Sequence, residues 1–187
     1  MGVVRARSRQ LLGLVTALQA VLAAKRLHEE ALEEILGRHP DGHLFLDLPG
    51  AGVVTAAALL GEFGQERTSM PTATVLQAIG GTAPVTIQSG KSRRVERRHA
   101  CNRHLQVALI QFARSTVMRA ASGEERLAWV KEAYAARRQS GDTAQQGYRV
   151  LAHRWATILW AMWTRRERYD HARYERARAA RLLPAAS

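Results

Sequence analysis

The sequence predicts a mostly α-helical protein: a long coiled-coil-type helix at the N-terminus, then a helical domain containing a helix-hairpin-helix, with little β structure. Three observations carry this reading. Proline is absent from Val3 to Gly37, where apolar residues recur at heptad spacing. Beyond residue 40, glycine and proline fall in short clusters that separate runs of helix formers. The only stretch that reads as extended is Thr82 to Gln88, and no internal repeat is visible. At 187 residues and 47% hydrophobic, the chain can bury a real core and is not a disordered tail.

The elements follow in order. Leu11, Leu14, Leu18, Val21, Lys25, His28, Leu32 and Ile35 fall on the a and d places of a heptad, and six of these eight are apolar. Such a helix is either a coiled-coil arm or one long helix lying along the domain. His39-Pro40-Asp41-Gly42 stops it. A short apolar helix at Leu44–Leu48, a Pro49-Gly50-Ala51-Gly52 turn and an alanine-rich helix to Gly64 make the helix-hairpin-helix pattern, at about 44–64. Its glycines let a phosphate approach the backbone, and the second helix offers free N–H groups at its positive end. The hairpin has no Lys or Arg near it in sequence, so it reads equally as a structural element. Ser69 is expected to cap a helix from Met70 to Ile79, with Pro71 in its first turn. Gly80-Gly81 ends that helix, and the extended stretch and a basic loop follow. Further helices are expected over Ala100–Ala121, Glu124–Arg138 and Gly147–Arg181, with Gln139–Gln146 as a polar loop.

Charge narrows the function. Formal net charge is +12, and lysine occurs only at 25, 91 and 131, so arginine dominates. Guanidinium forks match phosphate oxygens, which favours a polyanion partner over a merely basic surface. The surplus is concentrated: residues 86–104 carry +5 and residues 149–187 carry +6, whereas residues 40–85 carry −3. The single cysteine, Cys101, excludes a disulfide scaffold and a multi-thiolate zinc site. The continuous apolar stretches are shorter than a membrane span, and no signal-peptide core follows Met1, so a cytoplasmic protein without a membrane partner is expected.

Ile87-Gln88-Ser89-Gly90-Lys91-Ser92-Arg93-Arg94 is the segment that could carry chemistry. Attack on a phosphodiester needs an accessible nucleophile and cations around the equatorial oxygens. Ser89 could be the first, and Lys91, Arg93, Arg94, Arg97 and Arg98 the second. A Ser-Gly pair alone is an ordinary turn or cap. From residue types alone the reading stops at a helical nucleic-acid-binding protein.

The order of blocks goes further. Leu48-Pro49-Gly50-Ala51-Gly52 with Thr55-Ala56, then Gly80, Pro84, Gln88-Ser89-Gly90-Lys91 and Ala100-Cys101-Asn102-Arg103 with Leu105, and finally Tyr148, Trp163, Arg166 and Tyr169-Asp170, resemble the C-terminal transposase domain of the insertion-sequence "one-ten" family. These are the DEDD transposases, or bridge-RNA-guided serine recombinases. The resemblance covers about residues 40–175, which leaves 1–39 as the coiled-coil connection and 176–187 as a basic tail. It implies that Ser89 attacks DNA and forms a phosphoserine link. It also implies DNA and a guide RNA as partners, and a homo-oligomer held through residues 3–38. Gly50, Gly52, Gly90, Lys91, Arg93, Arg94, Arg97, Arg98, Asn102 and Arg103 are the expected nucleic-acid contacts. Family members carry Mg2+ on a separate N-terminal RuvC-like acidic domain. The only acids before residue 40 are Glu29, Glu30, Glu33 and Glu34, on a helix, so no cofactor is expected on this chain, and it is not expected to recombine DNA alone. The rival reading is a non-catalytic nucleic-acid-binding or assembly module derived from a transposase.

Other residues read as structural or remain two-sided. No His pair has metal-ligand spacing on one helix face. Trp155, Trp160, Trp163 and Tyr169 could stack on bases or fill the core. Cys101, where many family members have glycine, reads as a small packing residue rather than a reactive thiol.

Overall fold

A computed structural model describes residues 2–90 and 92–182. In chain order the elements are α1 (Gly2–Arg38), α2 (Gly42–Leu46), α3 (Val53–Phe63), a 3-10 turn (Arg67–Ser69), α4 (Ala73–Ile79), β1 (Pro84–Ser89), β2 (Ser92–Arg97), α5 (Arg103–Ala121), a second 3-10 turn (Glu125–Leu127), α6 (Ala128–Gln139), α7 (Ala144–Arg165) and α8 (His171–Leu182). The predicted class holds: helices throughout, with one two-stranded sheet among the described residues.

The core lies where α3, α4, α5 and α7 meet. Leu59, Leu76, Leu105, Leu109, Phe112, Leu151 and Trp155 are completely buried there. Aromatic edges knit it together: Phe63 meets Trp163 at 5.5 Å and Phe112 meets Trp155 at 4.8 Å between ring centroids. Trp155 and Trp163 are therefore core residues, with their indole N–H groups donating to Thr116 Oγ1 and to the Gly64 carbonyl. They are not available to stack on bases. Tyr169 joins the same cluster, and its hydroxyl accepts from Trp129 Nε1 at 3.1 Å. Burial is the main cause that pushes the Tyr169 phenol up to about 12.

One charged group is buried on purpose-built partners. The Asp41 carboxylate accepts from Arg67 Nη2 at 2.7 Å, and the same guanidinium donates from Nε to the Trp163 carbonyl at 2.9 Å. Arg67 also stacks over the Trp163 ring at 5.1 Å. The clasp fixes the corner after α1 to the end of α7, and it accounts for the single cation of an otherwise acidic stretch.

Several boundaries differ from the sequence expectation, each for a capping reason. The hydroxyl of Thr72, not Ser69, accepts from the Val75 N–H and starts α4; Ser69 closes the preceding 3-10 turn. Asn102 Oδ1 accepts from the His104 and Leu105 N–H groups and delays α5 to Arg103. Thr143 and Gln146 form a capping box, which extends α7 back into the expected polar loop. The long terminal helix is two helices. Arg166 takes a left-handed conformation with φ 56°, ends α7, and lets the chain turn before α8. Arg178 of α8 then reaches Glu132 of α6 at 2.8 Å, so α8 runs across the position 176 boundary as part of the folded body.

α1 contrasts with all of this. Its side chains from Val3 to His28 are exposed, and only Leu36, at 2% exposure, enters the core. α1 is also the one described helix long and apolar enough to cross a membrane by length and composition, a property the count of continuous apolar runs did not reveal.

Candidate nucleic-acid interface

The basic run is not a loop. Residues 84–97 pair as an antiparallel hairpin in which Ser89 faces Ser92, Gln88 faces Arg93, Ile87 faces Arg94 and Pro84 faces Arg97. Side chains of directly opposed residues share a face, and faces alternate along each strand. Ser89 therefore shares its face with Ser92, Ile87 and Arg94. Arg93 belongs to the opposite face. The sequence expectation of one arginine cluster around Ser89 is split between the two faces of the ribbon, with Arg94 on the Ser89 face and Arg93 on the other.

Ser89 itself is exposed at the tip of β1. Gly90 follows with φ 55° and open space where a Cβ would stand, so a positive-φ turn residue leaves the hydroxyl unobstructed. Lys91 lies outside the described residues, as does the Arg97 side chain. Arg94 pairs with Glu96 at 2.8 Å on the Ser89 face. Both side chains remain solvated, and such a pair is worth little in water, so a phosphate can compete for the guanidinium. Arg98 is half-buried at the base of the hairpin, and its Nε is buried without a hydrogen-bond partner among the described residues.

The hairpin stands away from the core. Ile87 is 39% exposed and Val95 64% exposed, on opposite faces of the ribbon. An isolated two-stranded hairpin is marginal in water, so this arm has little to hold it rigid. Its root is fixed on one side by Gly80 and Gly81. A Cβ at Gly81 would lie 2.7 Å from Cys101 Sγ. That contact accounts for Cys101 as a packing residue. His153 lies against the same root; burial is the main cause that lowers its pKa, and a hydrogen bond to the Thr82 carbonyl opposes the shift.

Asn102 and Arg103 are placed differently from the hairpin arginines. Asn102 is occupied twice, capping α5 and donating from Nδ2 to Glu62 at 2.7 Å. Its evident work is to join α3 to α5. Arg103 is exposed and makes one long bond of 3.4 Å, to Gln106.

The Pro49–Gly52 turn forms a second site. It borders a cleft of about 750 Å³ lined also by Ser115, Arg119, Glu124, Arg126, Arg168 and Tyr169. Gly50 has φ 82°, and a Cβ there would lie 3.2 Å from Thr116 Cα, so glycine is required for the turn to sit on α5. Its carbonyl accepts from Ser115 Oγ. Gly52 precedes α3 with no side chain capping the helix, and the space above it is open. The cleft has cations that the local sequence lacks: Arg119 from α5, Arg126 from the second 3-10 turn and Arg168 from the loop after α7. Arg168 meets Asp47 at 3.0 Å and Arg126 meets Glu124 at 2.8 Å. Sequence reading missed these arginines as a group because nothing in their spacing links them.

Among the described residues no three His, Cys, Asp or Glu side chains gather as metal ligands.

Comparison with known proteins gives the family. The profile of the Transposase IS116/IS110/IS902 family matches residues 42–135. The protein named as candidate transposase of the IS117 mini-circle in Streptomyces coelicolor is 30% identical over 88% of this chain and 38% of its own length. The uncharacterized 43.6 kDa protein of insertion element IS110, from the same organism, is 34% identical over 80% of this chain and 35% of itself. An uncharacterized 42 kDa protein of insertion element IS900 from Mycobacterium paratuberculosis is 29% identical over 78% of this chain and 34% of itself. The chain thus spans little more than a third of the curated relatives it matches.

Proposed function

The chain belongs to the Transposase IS116/IS110/IS902 family, and we propose that its part in transposition is to bind DNA and present Ser89 to a strand for exchange. The observation that carries the proposal is the exposed Ser89 hydroxyl at the tip of an arginine-bearing ribbon. A two-stranded ribbon fits the major groove in width, and the arginines on its two faces could track phosphates on either side.

In the proposed step the Ser89 Oγ forms a bond to a backbone phosphorus. The bond from that phosphorus to one deoxyribose oxygen breaks, and the serine proton ends on the departing hydroxyl. A hydroxyl from a second strand then attacks the phosphoserine, and the proton returns to Ser89. Bond types are conserved, so no external energy source is required. Arg94, on the same face, would offset charge that grows on the equatorial oxygens. Arg93 and Arg103 would hold backbone, and the cleft around Gly50 and Gly52 would hold a further phosphate segment. A guide RNA and action in the cytoplasm are part of the same proposal, from the resemblance alone.

The test is a strand-transfer assay with a full-length family member whose own serine is mutated. Addition of this chain should restore transfer, and the Ser89→Ala chain should not. A covalent DNA adduct should be trapped on Ser89. Normal transfer with Ser89→Ala would remove the nucleophile role. A second reading is a binding module without chemistry, in which the exposed arginines act alone. It predicts salt-sensitive binding that Ser89→Ala leaves unchanged, with no adduct.

A further inference from the structure

The turn that leads into the Ser89 arm is gripped from the body of the domain. The Gln77 carbonyl of α4 accepts from the Thr82 and Ala83 N–H groups, at 3.0 and 3.1 Å. Gln106 of α5, only 6% exposed, donates from Nε2 to the Gly81 carbonyl at 3.3 Å. Its Oε1 accepts from Arg103 Nη1 at 3.4 Å. Gly81 has φ 62°, and a Cβ there would stand 2.5 Å from Gln106 Nε2, so the turn presses onto this amide only as glycine. These neighbours leave the amide one orientation. A guanidinium only donates and must face Oε1, whereas a carbonyl only accepts and must face the NH2 group.

We propose that Gln106 is a positioning residue: it carries contact between Arg103 and a nucleic-acid phosphate to the root of the arm, and so steadies the aim of Ser89. Arg103 is exposed and its bond to Gln106 is long, so the free guanidinium is loosely held. Its five N–H donors let a phosphate take the outer edge while Nη1 still faces Gln106. A phosphate that orders Arg103 thereby orders the amide, and the amide holds Gly81 just before β1 begins at Pro84. The arm supplies little control of its own. Two strands alone are marginal, and Ile87 and Val95 are exposed rather than packed.

Two variants take the relay apart. Gln106→Glu keeps an acceptor for Arg103 and loses the donor to Gly81. Gln106→Lys keeps a donor for Gly81 and loses the acceptor for Arg103. A residue that only supports the turn tolerates Lys, and one that only holds Arg103 tolerates Glu. A relay tolerates neither. Arg103→Ala breaks the same link from an exposed position, where folding is not at risk. What the arm delivers rests on the strand-exchange reading, but its aim can be read without chemistry.

The experiment uses the full chain with Cys101→Ser and nitroxide labels on Val95→Cys in the arm and Met118→Cys on α5, both exposed positions. Each variant is checked for native melting, and spin–spin distances are measured with and without a saturating DNA duplex. The duplex should narrow the distance distribution of the labelled parent, and Gln106→Glu, Gln106→Lys and Arg103→Ala should each abolish that narrowing. In the mixed strand-transfer assay at saturating duplex, the Ser89 adduct should form about tenfold more slowly in each. Combining Arg103→Ala with Gln106→Lys should add no further loss. If a Gln106 variant fails to fold, Arg103→Ala decides by itself. An unresponsive parent, full narrowing in any of the three variants, or additive losses would each overturn the proposal. Narrowing that depends on Gln106 with no adduct would uphold the relay and remove the nucleophile role of Ser89.

Discussion

The hairpin arm and the Pro49–Gly52 cleft are the two sites proposed to meet phosphate, and they acquire their charge by opposite routes. The arm takes its cations from chain neighbours: Arg93 and Arg94 are adjacent, and strand geometry sends them to different faces. The cleft takes Arg119, Arg126 and Arg168 from three separate elements and already engages two of them with Asp47 and Glu124. Charge on a ribbon comes with mobility and weak local pairing. Charge in a cleft comes with fixed geometry and partial neutralisation. The difference teaches that a dense basic run marks where charge is, while a fold decides where charge can be held.

The sharpest way to break this comparison is at its glycines. Gly50→Ala places a Cβ against the Thr116 backbone at positive φ, and about 2 kcal/mol of stability should be lost from strain and overpacking. Gly90→Ala is also at positive φ, but in open space. It should cost about 1 kcal/mol locally and leave the melting temperature unchanged, because only the arm responds. Chemical denaturation of both variants decides this; equal losses would mean that the hairpin is part of the cooperative body.

Nucleic-acid binding separates the two regions next. Arg93→Ala with Arg94→Ala should reduce the salt slope of duplex binding by about 1.8, without preference for sequence. Arg119→Ala should reduce that slope by about 0.9 or less. Arg168→Ala should have a smaller effect, because Asp47 already holds its guanidinium. Titrations over a salt series would test the order, and a larger loss from the cleft than from the arm would reverse our assignment.

The smallest effect concerns pH at the root of the arm. The folded pKa of His153 is lowered from 6.5, chiefly by burial. The unfolded chain therefore binds a proton more readily. Stability from this group is complete above pH 6.5 and is lost as pH falls through the depressed folded value. His153→Gln should flatten the melting temperature over that window. An unchanged slope would show that another group sets it.

Much of this was legible in the chain itself. The helical class, the stop at His39–Gly42 and the basic run around Ser89 follow from periodicity, turn residues and composition, which act between near neighbours, whereas Trp155 and Trp163 were legible only as either core or stacking residues. Some signals were present but outweighed. Thr72 and Thr143 are sound caps by residue type, yet Ser69 and the polar look of residues 139–146 drew the boundaries elsewhere.

Local propensity, in short, determined which segments are helical, that the first helix carries an apolar stripe, and that Ser89 lies among arginines; that this stripe is left exposed was decided by the tertiary structure. Only the tertiary structure decided that Arg94 shares the face of Ser89 and Arg93 does not, that the last helix breaks at Arg166, and that three distant arginines border the Gly50 turn. The physical reason is range. Helix and turn preferences are fixed within a few residues, whereas strand register and a cleft exist only after segments far apart in the chain have been packed together.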